Sequence, residues 1–161
     1  MVFLRPTYLI DGDITDIGLN RLKQDGIKGI ILDLDSTLIA PRSGRLTDEA
    51  AAWLTSARAD FKLAVVSNNK KEEYLQQSAA LLAIPVFGNA AKPSRRVLLQ
   101  VLNSLALKPE ESVLVGDRPL TDIWGGKRAG MKTVLVYPLK TMREPAWIKF
   151  FRRLERAFIK V

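Results

Sequence analysis

The sequence contains neither cysteine nor histidine. The first absence removes disulfides, thiolate zinc sites and any thiol nucleophile. The second removes a Ser-His-Asp triad, an imidazole base and imidazole metal ligands. No uninterrupted apolar run approaches the ~20 residues needed to span a bilayer. The opening "MVFLRPTYLIDGD" reaches Asp11 after too short an apolar core to read as a signal peptide. Acid-base or metal chemistry must therefore rest on carboxylates, lysines, hydroxyls and amides. Acidic residues are themselves outnumbered, 17 against 25 Lys and Arg, and the net charge of +8 favours an anionic partner.

What is present fits one ordinary domain. With 161 residues, 47% of them apolar, the chain can bury a real core and is not disordered. The expected domain spans 1–161, with a core over about 28–138 and a terminal helix over about 145–161. No repeat, low-complexity segment or long linker divides it. The basic excess is uneven. From Lys140 onward, Lys140, Arg143, Lys149, Arg152, Arg153, Arg156 and Lys160 stand against only Glu144 and Glu155.

Strand and helix signals alternate along the chain. "KGIILDLD", "KLAVVSNN", "IPVFGNA", "SVLVGDR" and "KTVLVYP" read as five strands, the first a short isoleucine-rich run with no polar alternation. Between them "TDEAAAWLTSARAD" reads as a helix with Thr47 as N-cap, followed by helices in "KKEEYLQQSAALLA", "KPSRRVLLQVLNSLAL" with Pro93 near its start, and "LTDIWGGKRAGM". "DITDIGLNRLKQDG" reads as an opening helix. The alternation predicts an α/β fold: a Rossmann-like three-layer sandwich around a mostly parallel five-stranded sheet. In such sheets the ligand site lies beyond the carboxyl ends of the strands.

Those ends carry the polar residues. The first strand delivers Asp33, Asp35 and Thr37, the second Ser67, Asn68 and Asn69. Lys92 follows the third, and the fourth delivers Gly116, Asp117 and, a turn later, Asp122. Clustered carboxylates repel and raise one another's pKa unless a cation neutralises them. An all-oxygen set suits Mg²⁺ with a phosphate as a further ligand. The pattern reads as a phosphate-processing site in which the available covalent nucleophile is an aspartate.

"DLDST", "SN", "KP" and "GDRPLTD", in this order and spacing, resemble the four motifs of the haloacid dehalogenase-like (HAD) phosphatases. The short span between the first two leaves little room for a cap domain, as in the capless class III type. "LRPTYLIDGDITDI", "GIKGIILDLDSTL" and "GDRPLTDIWGGKRAGM" resemble the YqeG-like branch, which includes mitochondrial and plastid phosphatidylglycerophosphate phosphatases. The resemblance implies a Mg²⁺-dependent phosphomonoesterase. Asp33 would be the nucleophile that becomes an aspartyl phosphate, and Asp35 the general acid and base. Mg²⁺ would be held by the Asp33 carboxylate, the Asp35 backbone carbonyl and Asp117, with Asp122 holding a metal-bound water or orienting Lys92. Lys92 would neutralise Asp33 and the phosphoryl charge. Ser67, Asn68 and Thr37 would serve the substrate side, Ser67 binding phosphoryl oxygens with the Asn68 backbone and Thr37 bracing the loop. Ser36 stands where Asn or Gly is common, and Arg118 follows Asp117.

On a helical wheel from Trp147, the apolar Trp147, Phe150, Phe151, Leu154, Phe158 and Val161 fall within about 60° either side of one direction. Lys149, Arg152, Arg153, Arg156 and Lys160 cluster opposite. Two readings stay open: a helix packed on the sheet with a solvated basic back, or a helix lying on anionic lipid. The expected substrate is phosphatidylglycerophosphate, met by a cytoplasmic enzyme peripheral on the inner face of the membrane, with no nucleic acid partner. The alternatives are a soluble sugar or nucleotide phosphate, a phosphoprotein, or a basic binding module without turnover.

Overall fold

In a computed structural model of the chain, the residues described are 2–40, 43–139 and 145–159. The elements in chain order are β1 (Tyr8–Leu9), α1 (Leu19–Gln24), β2 (Gly29–Leu32), α2 (Asp48–Asp60), β3 (Lys62–Val66), α3 (Glu72–Leu82), β4 (Val86–Phe87), α4 (Arg96–Ser104), β5 (Ser112–Gly116), α5 (Trp124–Arg128), β6 (Lys132–Leu135) and α6 (Ala146–Ala157). They build one all-parallel sheet in the order β1-β6-β5-β2-β3-β4.

The sheet has six strands rather than five. The addition is β1, two residues that pair Tyr8 with Val134 and Leu9 with Leu135. No local pattern marks so short an edge strand; it exists because β6 offers it a partner. The opening helix is divided as well. Asp13 caps a 3₁₀ turn at Ile14–Asp16 through a reciprocal capping box, and α1 starts afresh after Gly18. α4 begins at Arg96, so Pro93 lies before the helix rather than in its first turn. Thr47 caps α2 by accepting a hydrogen bond from the Ala50 N–H at 3.1 Å.

The isoleucine run is explained by burial on both faces. Ile30, Ile31 and Leu32 are all fully buried. Ile30 and Leu32 point into a core shared with Trp53 and Leu54 of α2, whereas Ile31 points the other way, onto Val97, Leu98 and Val101 of α4. Each such side chain contributes about 1.5–3 kcal/mol relative to exposure. β2 and β5 are adjacent at the centre, and successive connections leave them toward opposite sides. A crevice opens at such a switch point beyond the strand ends. Between β2 and β3 the described helix is α2, which packs on the sheet.

Candidate active site

The site grows from the ends of β2 and β5. The Asp33 N–H still donates to the Val115 carbonyl at 2.9 Å, so Asp33 continues the ladder as the strand leaves the core. The chain then turns sharply. Ser36 has φ of 69°, a left-handed conformation that L side chains rarely adopt, which explains why Asn or Gly suits this position. At the end of β5, a Cβ added to Gly116 would lie 2.3 Å from the carboxyl group of Asp122. Glycine is needed there because that carboxylate folds back over the strand end. It does so from a π-type turn at Pro119–Ile123, where the Arg118 N–H donates to Asp122 Oδ2 at 3.1 Å.

Asp33, Asp117 and Asp122 offer carboxylate oxygens all within 4.8 Å of one another. Lys92 Nζ joins two of them, at 2.6 Å from Asp33 Oδ1 and 2.7 Å from Asp122 Oδ1. Its ammonium is buried, and its main chain is pinned by Asn68: the Lys92 N–H donates to Asn68 Oδ1 at 2.7 Å, and Asn68 Nδ2 donates to the Lys92 carbonyl at 3.1 Å. Asn68 thus positions Lys92 with its side chain, a role distinct from the backbone contact expected of it. Thr37 Oγ1 lies 3.4 Å from Asp117 Oδ1. Ser67 is buried, and its Oγ accepts from the Asn69 N–H at 3.1 Å, so the hydroxyl proton stays available to a ligand.

Asp35 stands apart from the three clustered carboxylates. Its Oδ1 accepts a 2.5 Å hydrogen bond from the Tyr74 hydroxyl of α3. Tyr74 lies outside the four strand-end motifs, and no local pattern marked its hydroxyl as part of the site. Burial, and then the hydrogen bond to Asp35, push the Tyr74 hydroxyl pKa above its usual value.

The electrostatics are those of crowded carboxylates. Burial, then the charge of Asp122, push Asp33 up to about 8, with Lys92 opposing. Burial and Asp122 likewise push Asp117 up to about 6, with Arg152 and Arg118 opposing. For Lys92, burial works to lower the pKa, but Asp122 and Asp33 outweigh it and the net shift is upward. With all three ionised, the carboxylates outnumber the two buried cations, Lys92 and Arg152, and leave an excess of negative charge. Hard oxygen donors with that excess suit a divalent cation such as Mg²⁺.

Arg152 is the unexpected member. Its Nη2 lies 2.6 Å from Asp117 Oδ2, and both side chains are nearly enclosed. The basic arc of the terminal helix is therefore not solvated throughout. Arg152 and Arg156 face the domain. Arg156 hydrogen-bonds the Val136 carbonyl and lies over the Tyr137 ring at 4.0 Å, while Glu155 pairs with Arg118 at 3.2 Å. Of the other cations on that arc, Lys149 and Arg153 are exposed. The aromatic arc points outward: Trp147, Phe150, Phe151, Leu154 and Phe158 are all exposed, Trp147 by 65%. Lys160 and Val161 lie outside the described residues. The tail's charge was visible in the sequence, but which arc would turn inward was not.

The chain is similar to known phosphatases. A family model described as HAD-hydrolase-like matches residues 89–146. The probable phosphatase YqeG of Bacillus subtilis is 32% identical over 148 residues, covering 91% of this chain and 85% of the relative. Phosphatidylglycerophosphate phosphatase 1, chloroplastic/mitochondrial, of Arabidopsis thaliana is 33% identical over 157 residues, covering 92% of this chain but only 45% of the plant protein. A solved structure of an uncharacterized protein from Listeria monocytogenes superposes with a TM-score of 0.60 at 22% identity, covering 74% and 85% of the two chains, which bears on the fold alone. The chain belongs to the HAD-like phosphatases, enzymes that hydrolyse phosphoric monoesters.

Proposed function

We propose that the chain is a Mg²⁺-dependent phosphatase that acts through an aspartyl phosphate and removes the terminal phosphate of phosphatidylglycerophosphate. The observation that carries the chemistry is Lys92 bridging Asp33 and Asp122 within a cluster of three carboxylates at the sheet edge. The substrate is inferred from the plant relative named for that activity, and from an algal one, the Chlamydomonas reinhardtii protein, 30% identical over 161 residues.

Asp33, Asp117 and Asp122 would hold the cation, which when bound offsets the charge of the phosphoryl group. Lys92 neutralises Asp33 and the equatorial oxygens, and Ser67 donates its hydroxyl proton to one of them. The Asp33 carboxylate attacks phosphorus while the bond to the lipid oxygen breaks, and Asp35 gives that oxygen its proton. Asp35 then takes a proton from water as the water oxygen attacks phosphorus, the acyl-phosphate bond breaks, and inorganic phosphate leaves. Tyr74 holds the Asp35 carboxyl away from the carboxylate cluster, so it serves proton transfer rather than metal binding.

The outward aromatic arc of α6, flanked by the exposed Lys149 and Arg153, suits an anionic bilayer surface at which such a substrate resides. No helix among the described residues is long and apolar enough to cross a membrane. The test is phosphate release from phosphatidylglycerophosphate in mixed micelles. Wild type is expected to turn over with Mg²⁺ and stop with chelator, and Asp33→Asn to lose at least a thousandfold. Release undiminished in folded Asp33→Asn would overturn the mechanism.

A further inference from the structure

One cavity is lined by none of the residues assigned to the reaction. It is a cleft of about 620 Å³ between α6 and the β1–β6 edge of the sheet. One wall is apolar, from Leu9, Ile10, Leu135, Ala157 and Ile159. The other polar and aromatic lining groups are Arg153, Arg156, Asp11 and Tyr137. Two guanidinium groups on an apolar cleft, against one carboxylate, leave it net positive. Arg153 makes no hydrogen bond or ion pair with any described residue. Arg156 Nε is buried without a hydrogen-bond partner among them. Arg156 donates to the Val136 carbonyl and also lines the cleft, so the remainder of its guanidinium group can pair with an anionic oxygen there.

The placement of the cleft relates it to the chemistry. Arg156 stands one helical turn beyond Arg152, which touches Asp117. The Val136 N–H donates to the Gly116 carbonyl at 3.0 Å, so the chain after β6 runs alongside the end of β5. β6 is two strands from β2, and at the usual strand spacing that is roughly 10 Å. That separation exceeds a phosphomonoester and suits a larger amphiphile that carries a second phosphate.

We infer that this cleft is a lipid subsite: Arg153 and Arg156 take the phosphodiester of an anionic glycerophospholipid, and the Leu9–Ile159 wall takes the start of its apolar portion. The inference rests on the phosphatidylglycerophosphate reading above and adds where the non-reacting part of that substrate is held. It also gives α6 a reason to dock through its polar arc, because that docking closes the cleft. Recognition is by charge and shape: a choline headgroup would bring a cation against the two arginines, and a short soluble phosphate would leave the apolar wall empty.

The experiment uses the full chain without added metal, titrated calorimetrically with lysophosphatidylglycerol below its micelle concentration. Lysophosphatidylcholine and glycerol phosphate serve as comparisons. Saturable binding of one lysophosphatidylglycerol is expected, at least tenfold tighter than either comparison. Arg153→Glu should weaken it at least tenfold, and so should Ala157→Trp, which fills the cleft. Leu9→Trp fills the same space from the exposed strand edge and serves if Ala157→Trp loses its thermal transition. Equal binding of the two lysolipids, or undiminished binding in the folded variants, would overturn the subsite. Phosphate release from phosphatidylglycerophosphate by wild type is measured in parallel. Release without lysolipid binding would sink the subsite and leave the proposed activity standing. Cleft-dependent binding without release would sink the activity and leave the subsite.

Discussion

Arg152 occupies one oxygen of a carboxylate that the proposed chemistry needs for a cation, and removing it makes a measurable prediction. The Nη2–Oδ2 distance is 2.6 Å, and the side chains of Arg152 and Asp117 are 10% and 2% exposed. With charge centres ~4 Å apart at an effective dielectric of 20, the attraction is about 4 kcal/mol before desolvation is subtracted. A cation arriving at Asp117 meets the same guanidinium as a repulsion of similar scale. If only a third of that survives local screening, Arg152 weakens cation binding by about 1.4 kcal/mol, a factor of ten. Arg152→Gln removes the charge and keeps an N–H donor. Calorimetric titration with Mg²⁺ at pH 8, without substrate, should show Kd at least tenfold lower in the variant. The metal-free variant should also melt earlier, because breaking a buried pair from one side costs about 3–5 kcal/mol. Saturating Mg²⁺ should recover much of that loss. Unchanged or weaker Mg²⁺ binding in a folded variant would refute the reasoning, since Arg152 would then be helping the site hold its cation.

Three further outcomes follow from the geometry. Tyr74→Phe deletes the hydroxyl bonded to Asp35 and should lower kcat on a soluble aryl phosphate about tenfold, with a stability loss of about 1 kcal/mol; equal kcat would remove Tyr74 from any positioning role. Asp33 and Asp117 are raised in the fold, so the folded state binds more protons than the unfolded chain. Their contribution to the stability of the metal-free protein is therefore fully present near pH 4 and lost as pH rises toward 8, so the melting temperature of Asp33→Asn should fall less over this window than that of wild type, and Mg²⁺ should likewise flatten the wild-type decline; identical pH dependence in variant and wild type would contradict the carboxylate crowding. Trp147→Ser with Phe150→Ser alters exposed residues of α6 and should weaken sedimentation with anionic vesicles with little change in melting temperature. Unaltered vesicle binding would dismiss the aromatic arc as the membrane surface. Reversing Arg152, Arg153 and Arg156 together would be a poor probe of lipid binding, because two of the three hold the helix to the domain.

Much of this protein was determined by its sequence alone. Burial on both faces of a parallel sheet demands continuous apolar runs, so β2, β3 and β5 are visible as short strings of Ile, Leu and Val. Strand–helix alternation sends their ends to one edge, and that is why the sequence alone groups Asp33, Lys92, Asp117 and Asp122. The absence of histidine and cysteine then narrowed the chemistry to carboxylates and lysine. Tertiary structure decided the rest, where local pattern carries no information. β1 is a strand only because β6 has an open edge beside it. Tyr74 and Asp35 are 39 residues apart and meet across the gap between a helix and a loop. The terminal helix shows most clearly where sequence stops. Its wheel sorts apolar from basic residues, and the hydrophobic effect alone would turn the aromatic arc inward. The buried negative charge of Asp117 at the sheet edge instead draws Arg152 in, with the Glu155–Arg118 and Arg156–Val136 contacts beside it, and leaves the aromatics facing out. A wheel can show that a helix has two faces; which one the domain takes depends on the charge waiting on the surface it meets.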